Sequence, residues 1–504
     1  LVTERWGWRL RIAVLVVMTG GGLGIAAAQT SSPPGAAPPA EKVISKQQAK
    51  ELFDSVDSIM KFASDDTGLA PVERVKRRLV TRAEVNRYLV KSFEEDESAK
   101  RLERSEIVLK KFGMLDRDFD LRPFLLSLLT EQIAGYYDDK TKMVNLLNWV
   151  DPEEQKPVLA HELTHALQDQ KVGLEKWSND GIKGVSTTTA EDNQRIASDE
   201  VETARQAVAE GQAMVVFVDY TLKPLGKTMA DSPEVADRMR EAAADPSGSP
   251  IMARAPLLLQ RSLMFPYADG LGFEQALLVA GGKREAFSEV LGAPPTTSFE
   301  IMHPQAYLKH VPVPVLHLPD LHALLDAEYA PYDVGAMGEL DVEMMASLFG
   351  GPEVAKALAP AWAGGVYYAA ERRSATAAEK KTTGAIGLLY YSEWRTSEAA
   401  RGFARLYEAQ LARKYAKVAE RKADELDGEA VYTTNEGDAL ISRTDKGLLI
   451  AEGYPLETAR KLRATILAAQ GSGPIRMAVG PELTLETVRG ISQFGMLKAG
   501  LLRH

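Results

Sequence analysis

The chain has 504 residues, more than one hydrophobic core usually supports, so two or more domains are expected. Hydrophobic residues make up 45% and charged residues 26%, the balance of a globular protein and not of a disordered one. A formal charge of −10 without a basic tract argues against a nucleic-acid partner, and the lack of cysteine excludes disulfides, thiolate metal ligands and a lipid-attachment cysteine.

At the N-terminus, Arg5, Arg9 and Arg11 precede an apolar run over 12–18, a glycine-rich patch, and Ala26-Ala27-Ala28. A charged region, a short apolar region and small residues in this order predict an export signal over residues 1–28. The alternative is an uncleaved anchor, but the glycines at 20–22 and 24 interrupt the roughly 20 apolar residues that a spanning helix needs. No other segment reaches that length, so the mature chain is expected in the periplasm or outside the cell without a stable membrane span. The signal carries Glu4 against three arginines, which puts the mature charge near −12. Residues 29–44 form a proline-rich linker.

From 45 to about 112 the apolar spacing is helical, with Leu52, Val56, Ile59 and Met60, then Val75, Leu79, Val85 and Leu89. Another apolar helix begins at Phe124. Residues 133–147 read as two strands joined by the polar turn Asp138-Asp139-Lys140. A helix over 157–170 is opened by Pro157, a residue favoured in a first turn. Residues 171–194 read as loop, 196–222 as a long helix, and 230–255 as loop with a short helix. Helices follow near 270–290 and over 339–349, with a proline-interrupted stretch between them. Beyond that, strands at 365–371 and 385–394, a helix at 397–415, strands at 429–434 and 438–453 and a helix at 456–469 describe a second unit. The last segment, 483–502, is mildly amphipathic and is expected to pack on a core. The fold class is therefore α+β: a mostly helical unit with a small sheet over 45–335, followed by a smaller α+β unit over 336–504.

The chemistry concentrates in Val158-Leu-Ala-His161-Glu162-Leu-Thr-His165-Ala-Leu-Gln-Asp169. Residues four apart share a helix face, so His161 and His165 can offer two imidazole nitrogens to one ion, with Glu162 one step around. Zinc suits nitrogen and oxygen ligands in a tetrahedron and leaves one position open, and a nearby carboxylate can take a proton from water there. The plainer reading is two ordinary helix histidines.

A third protein ligand is needed. The position six residues beyond His165 is Lys171, which excludes the three-histidine arrangement. Glu210 lies 45 residues after His165, in Gln206-Ala-Val-Ala-Glu210-Gly-Gln-Ala-Met, flanked by Val208, Met214 and Val215. A carboxylate on such an apolar helix needs a partner or a metal, and Gly211 permits close backbone approach. Glu202 and Glu200 are the rivals; with Asp199 they read as a solvated helix start.

The stretch His-Glu-Leu-Thr-His-Ala resembles the active-site helix of thermolysin and other gluzincins, which take two histidines and a later glutamate as metal ligands. Ala134-Gly-Tyr-Tyr-Asp, 161–170 and Ala209-Glu-Gly-Gln-Ala are also similar to a bacterial family of secreted gluzincin-like proteins, mainly over 120–220 with weaker likeness to about 310. The resemblance implies a zincin-like domain, His161, His165 and Glu210 as zinc ligands, and Glu162 as general base. Thermolysin's Asn-Glu-x-x-Ser-Asp pattern is missing around Glu210, so the likeness is to the gluzincin group and carries no cleavage specificity.

A developing oxyanion usually needs a donor besides the metal, and His303 and Tyr267 are candidates, each also readable as loop packing. Asp169 reads as a helix-end residue or a support for a ligand. His310, His317 and His322 lack ligand spacing and read as structural. The pair of strands before the motif could bind extended peptide by main-chain pairing, or simply pack on the helix. Three functions remain: an exported zinc metallopeptidase acting on a peptide or protein substrate, an inactive zincin-fold envelope protein that binds a partner, and a hydrolase of peptidoglycan peptides. An intact Glu162 favours the first.

Overall fold

The computed structural model describes residues 43–470 except 95, 179–183, 232–233, 236, 239–248 and 314–315. The expected export signal, nearly all of the proline-rich linker and the amphipathic 483–502 lie outside the described residues. The fold is α+β, with a three-stranded and a seven-stranded sheet set among helices. No described helix is long and apolar enough to cross a membrane.

Helix α1 (Lys46–Thr67) starts at a capping box, in which Ser45 Oγ accepts from Gln48 N and the Gln48 side chain accepts from Ser45 N. It buries Leu52, Val56, Ile59 and Ala63, a stripe at spacings of four, three and four. The residues that follow depart from the helical reading. Lys76–Val80 is a strand, β1, which pairs in parallel with β3 (Met143–Leu147), Lys76 opposite Met143 and Val80 opposite Leu147. Val75 and Leu79 fit a helical spacing, yet Lys76-Arg-Arg-Leu-Val has period-2 burial typical of a charged edge strand. Helices α2 (Arg82–Glu94), α3 (Asp96–Phe112) and α4 (Leu121–Gln132) follow. On the other side of β3 runs β2 (Tyr136–Asp138), antiparallel, so β2 is the second edge of this sheet. Their turn is closed by Asp138 Oδ1, which accepts from Lys140 N at 3.0 Å and Thr141 N at 3.2 Å.

Helix α5 (Pro152–Val172) carries the histidine motif. It starts five residues earlier than expected. Asp151 caps it by accepting from Glu153 N, and Pro152, not Pro157, takes the first-turn place. Pro157 lies inside the helix, where it forgoes one backbone hydrogen bond. Helix α6 (Thr189–Leu222) likewise starts seven residues before the expected Ile196, capped by Thr188. Helix α7 (Leu257–Arg284) contains Pro266 and starts well ahead of the helix expected near 270. Helices α6 and α7 touch backbone to backbone. A β-carbon on Gly211 would lie 2.4 Å from Gly270 O, and one on Gly270 would lie 2.2 Å from Ala207 O, so both positions require glycine.

The seven-stranded sheet is antiparallel throughout, in the order β4-β5-β6-β10-β9-β8-β7. Its strands are β4 (Tyr329–Ala336), β5 (Trp362–Arg372), β6 (Ile386–Trp394), β7 (Val418–Glu420), β8 (Glu429–Thr434), β9 (Gly437–Arg443) and β10 (Gly447–Tyr454). The run expected as one strand over 438–453 is thus a hairpin. The first strand ends at Ala336, so this sheet begins ahead of the expected boundary after residue 335. Both faces are covered. Tyr367, Ala369, Leu388, Tyr390 and Ile450 join the core of the helical part with α8 (Glu339–Gly350) and α9 (Ser397–Lys414). Val366, Tyr368, Leu389, Tyr391 and Leu449 face α10 (Leu456–Gln470) and the Leu316–Leu325 segment. Burial on both faces explains why β5 and β6 read as nearly continuous apolar runs.

Candidate metal centre

One turn of α5 brings His161 above His165, and α6 crosses it to deliver Glu210. The Nε2 atoms of the two histidines are 3.1 Å apart. Glu210 Oε2 lies 3.2 Å from His161 Nε2 and 3.3 Å from His165 Nε2. Three donor atoms thus form a nearly equilateral triangle. Four ligands held tetrahedrally at 2.0–2.1 Å lie about 3.3 Å from one another, so this triangle matches one face of such a site. Among the described residues, these three are the group whose side chains could hold a metal ion. All are enclosed: His161 is 0%, His165 1% and Glu210 2% exposed.

Enclosure sharpens the electrostatics. Burial pushes the Glu210 carboxyl up, and the His165 and His161 imidazoles outweigh it, so it stays well below the usual carboxylate range. His161 Nδ1 is buried without a hydrogen-bond partner. His165 Nδ1, in contrast, meets Gln168 Oε1 at 2.9 Å. Gln168 carries no motif signal in the sequence, although it lies one turn past His165 on the same helix. Nor does Gln212, two residues past Glu210, whose Oε1 accepts from Gln168 Nε2 at 2.8 Å.

Glu162, 1% exposed, points towards the small sheet, where its Oε2 accepts from Tyr137 N of edge strand β2 at 2.6 Å. A backbone amide is invisible to motif reading, and only the fold shows that the strand before the motif returns to it. Asp169 ties the same strand to the end of α5. Its Oδ2 accepts from Tyr137 Oη at 2.8 Å and Lys142 Nζ at 2.5 Å, and its Oδ1 accepts from Leu174 N at 3.1 Å.

The two candidate oxyanion donors separate. Tyr267 stands within α7, not in a loop, and its ring stacks on His161 at 6.3 Å with an interplanar angle of 23°. His303 is elsewhere: its Nε2 bonds both oxygens of Glu339 at 2.9 Å, at the start of α8, and its ring rests on Phe299. The structure does not bring it to the metal triangle. The acidic run before Glu210 also differs from expectation. Glu200 and Asp199 are buried, because α6 starts earlier and the turn at Ser298, the end of β4 and the start of α8 pack over this part of it. Glu200 accepts from Ser298 N and Oγ; burial first, then the nearby Asp341, push its carboxyl up to about 8. Asp199 accepts from Ala336 N at 2.8 Å. Glu202 is eight residues before Glu210, about 12 Å along the helix axis. His317 bonds Asn193 and His322 bonds Asp192, both away from the triangle, and His310 lies in a turn with φ of 51°.

No family model matches the chain, and neither does any curated protein or solved structure.

Proposed function

We propose that this chain is a zinc-dependent hydrolase of peptide bonds, with His161, His165 and Glu210 as metal ligands and Glu162 as the general base. The observation that carries this reading is the triangle of three donor atoms at tetrahedral edge distances, with Glu162 adjacent on the same helix. Zinc held there supplies a Lewis acid that polarises a carbonyl and makes water acidic near neutral pH. Glu162 takes the proton from the attacking water and returns it to the leaving amide nitrogen. The Tyr137 N–H fixes one carboxylate oxygen, which orients the other. Tyr267, itself buried, lies beside His161 with its ring 6.3 Å away. The N-terminal Arg-rich and apolar segment supports action outside the cytoplasm, on peptide or protein substrates.

One observation favours a second reading. All four residues are at most 2% exposed, which suits an ion that stabilises a non-enzymatic, partner-binding protein. Zinc content and hydrolysis of an unfolded protein, measured for the wild type and Glu162→Gln, separate the two. The peptidase reading expects zinc in both and a loss of about 100-fold or more in hydrolysis for the variant. Zinc in both, with no Glu162-dependent hydrolysis, supports the second reading.

A further inference from the structure

We propose that Gln168 and Gln212 are positioning residues that hold His165 in the tautomer protonated at Nδ1, so that its Nε2 lone pair faces His161 and Glu210. This rests on the reading of those residues as metal ligands.

The hydrogen-bond chain starts at a group whose role is fixed. Ala286 O is a backbone carbonyl and can only accept. Gln212 therefore turns its amide nitrogen towards it, Nε2 to O at 2.6 Å. That orientation leaves Gln212 Oε1 facing Gln168, which must answer with its own Nε2, at 2.8 Å. A second carbonyl, Ala209 O, accepts from the same Gln168 nitrogen at 2.9 Å. Both protons of the Gln168 amide are thereby committed, and its Oε1 is the atom left for His165 Nδ1, at 2.9 Å. An oxygen there requires a proton on Nδ1. A neutral imidazole protonated at Nδ1 presents its lone pair at Nε2, the atom in the metal triangle.

Both glutamines are 0% exposed, so water does not compete for these bonds. The chain also crosses three elements. Gln168 belongs to α5, Gln212 and Ala209 to α6, and Ala286 to the turn that continues α7. The orientation of one imidazole is thus tied to the packing of the helices that carry both kinds of ligand. His161 has no such tie at Nδ1, so the two histidines are held differently.

The test uses the full chain labelled with 15N-histidine, metal-free, at a pH where the imidazoles are neutral. The chain has seven histidines, so single substitutions can assign His165. Long-range proton–nitrogen spectra should show the wild-type His165 protonated at Nδ1. Gln168→Met should turn it into a mixture of tautomers and weaken zinc binding by about 10–100-fold, as for loss of a group that orients a ligand. Gln212→Met leaves Ala209 O in place and should weaken binding less, with a smaller shift in the tautomer ratio. A wild-type His165 protonated at Nε2 would overturn the proposal, and this measurement needs no variant. An unchanged tautomer and zinc affinity in a folded Gln168→Met would overturn it as well. A chain that binds no zinc while His165 is protonated at Nδ1 upholds the tautomer and defeats the metal reading.

Discussion

Among the described residues, two of the buried polar clusters are built on opposite principles. Between α3 and the large sheet, Lys414 Nζ meets Glu452 Oε1 at 2.5 Å and Tyr407 Oη at 2.7 Å. Tyr407 and Tyr415 donate to the same carboxylate, and Lys111 Nζ reaches Glu436 Oε2 at 3.1 Å and Thr383 O at 3.3 Å. Every donor there has an acceptor, and cations face anions. Burial pushes Lys414 down, against the pull of Glu452, to about 8, while Glu452 is held below the usual range by Lys414 and Lys111 despite its burial. In the metal triangle, two imidazole nitrogens and a carboxylate oxygen converge on one point without a cationic side chain among them. The first cluster satisfies itself and serves the fold. The second is balanced only by a proton or a metal ion. What sets the candidate metal site apart from the structural network is convergence of acceptors, and not burial, which the two share.

The comparison breaks most visibly if the first cluster is opened. Glu452→Ala leaves Lys414 buried without its counter-ion, and a cost of about 3–5 kcal/mol in unfolding free energy is expected. Denaturant melts measure it. Zinc bound per chain should stay at the wild-type level; a drop would show that the clusters are not independent. Withdrawal of metal tests the other side. With free zinc at a hundredfold excess over its dissociation constant, the ion contributes about 2.7 kcal/mol of apparent stability. A chelator should therefore lower the melting temperature of the wild type and of a folded Lys414 variant alike, and leave Glu210→Ala unchanged. A Glu210→Ala chain that keeps wild-type zinc affinity would move the third ligand elsewhere.

The triangle was legible in the sequence, and the ionic cluster was not, for a physical reason. His161 and His165 are one helical turn apart, so spacing alone puts them on one face. Glu210 stands out as a carboxylate amid Val208, Met214 and Val215. Lys111 and Glu436 are 325 residues apart, and nothing in either neighbourhood announces the other. Gln168 and Gln212 escaped notice because glutamine in a helix normally reads as surface. Their role appears only when two helices are close enough for the amides to meet. Pro157 reads as a helix boundary, yet it lies within a helix held by tertiary packing, as Pro266 does. β1 was hidden by a chance helical spacing of Val75 and Leu79, and only its parallel partner β3, far along the chain, makes it a strand.

A third buried polar group belongs to neither cluster and gives the smallest, most specific test. Glu274 on α7 is fully buried, both its oxygens lack a hydrogen-bond partner, and its Cγ is where a β-carbon on Gly211 would press, at 3.0 Å. Neither a cation, as in the ionic cluster, nor a converging ligand, as in the triangle, compensates it. Burial alone pushes its carboxyl well above the ordinary glutamate value. The folded state then keeps this proton where the unfolded state releases it. Below the unfolded value, near 4.3, both states are protonated and the group costs nothing through ionisation. As pH rises past that value, the unfolded chain gains the free energy of ionisation, and stability falls by up to about 1.4 kcal/mol per pH unit until the folded group also ionises. Glu274→Gln removes this proton exchange. Its stability relative to the wild type should rise steadily from pH 4 through pH 6, as read from denaturant melts across that range. A flat difference would mean that Glu274 is ionised in the folded chain and that a cation partners it.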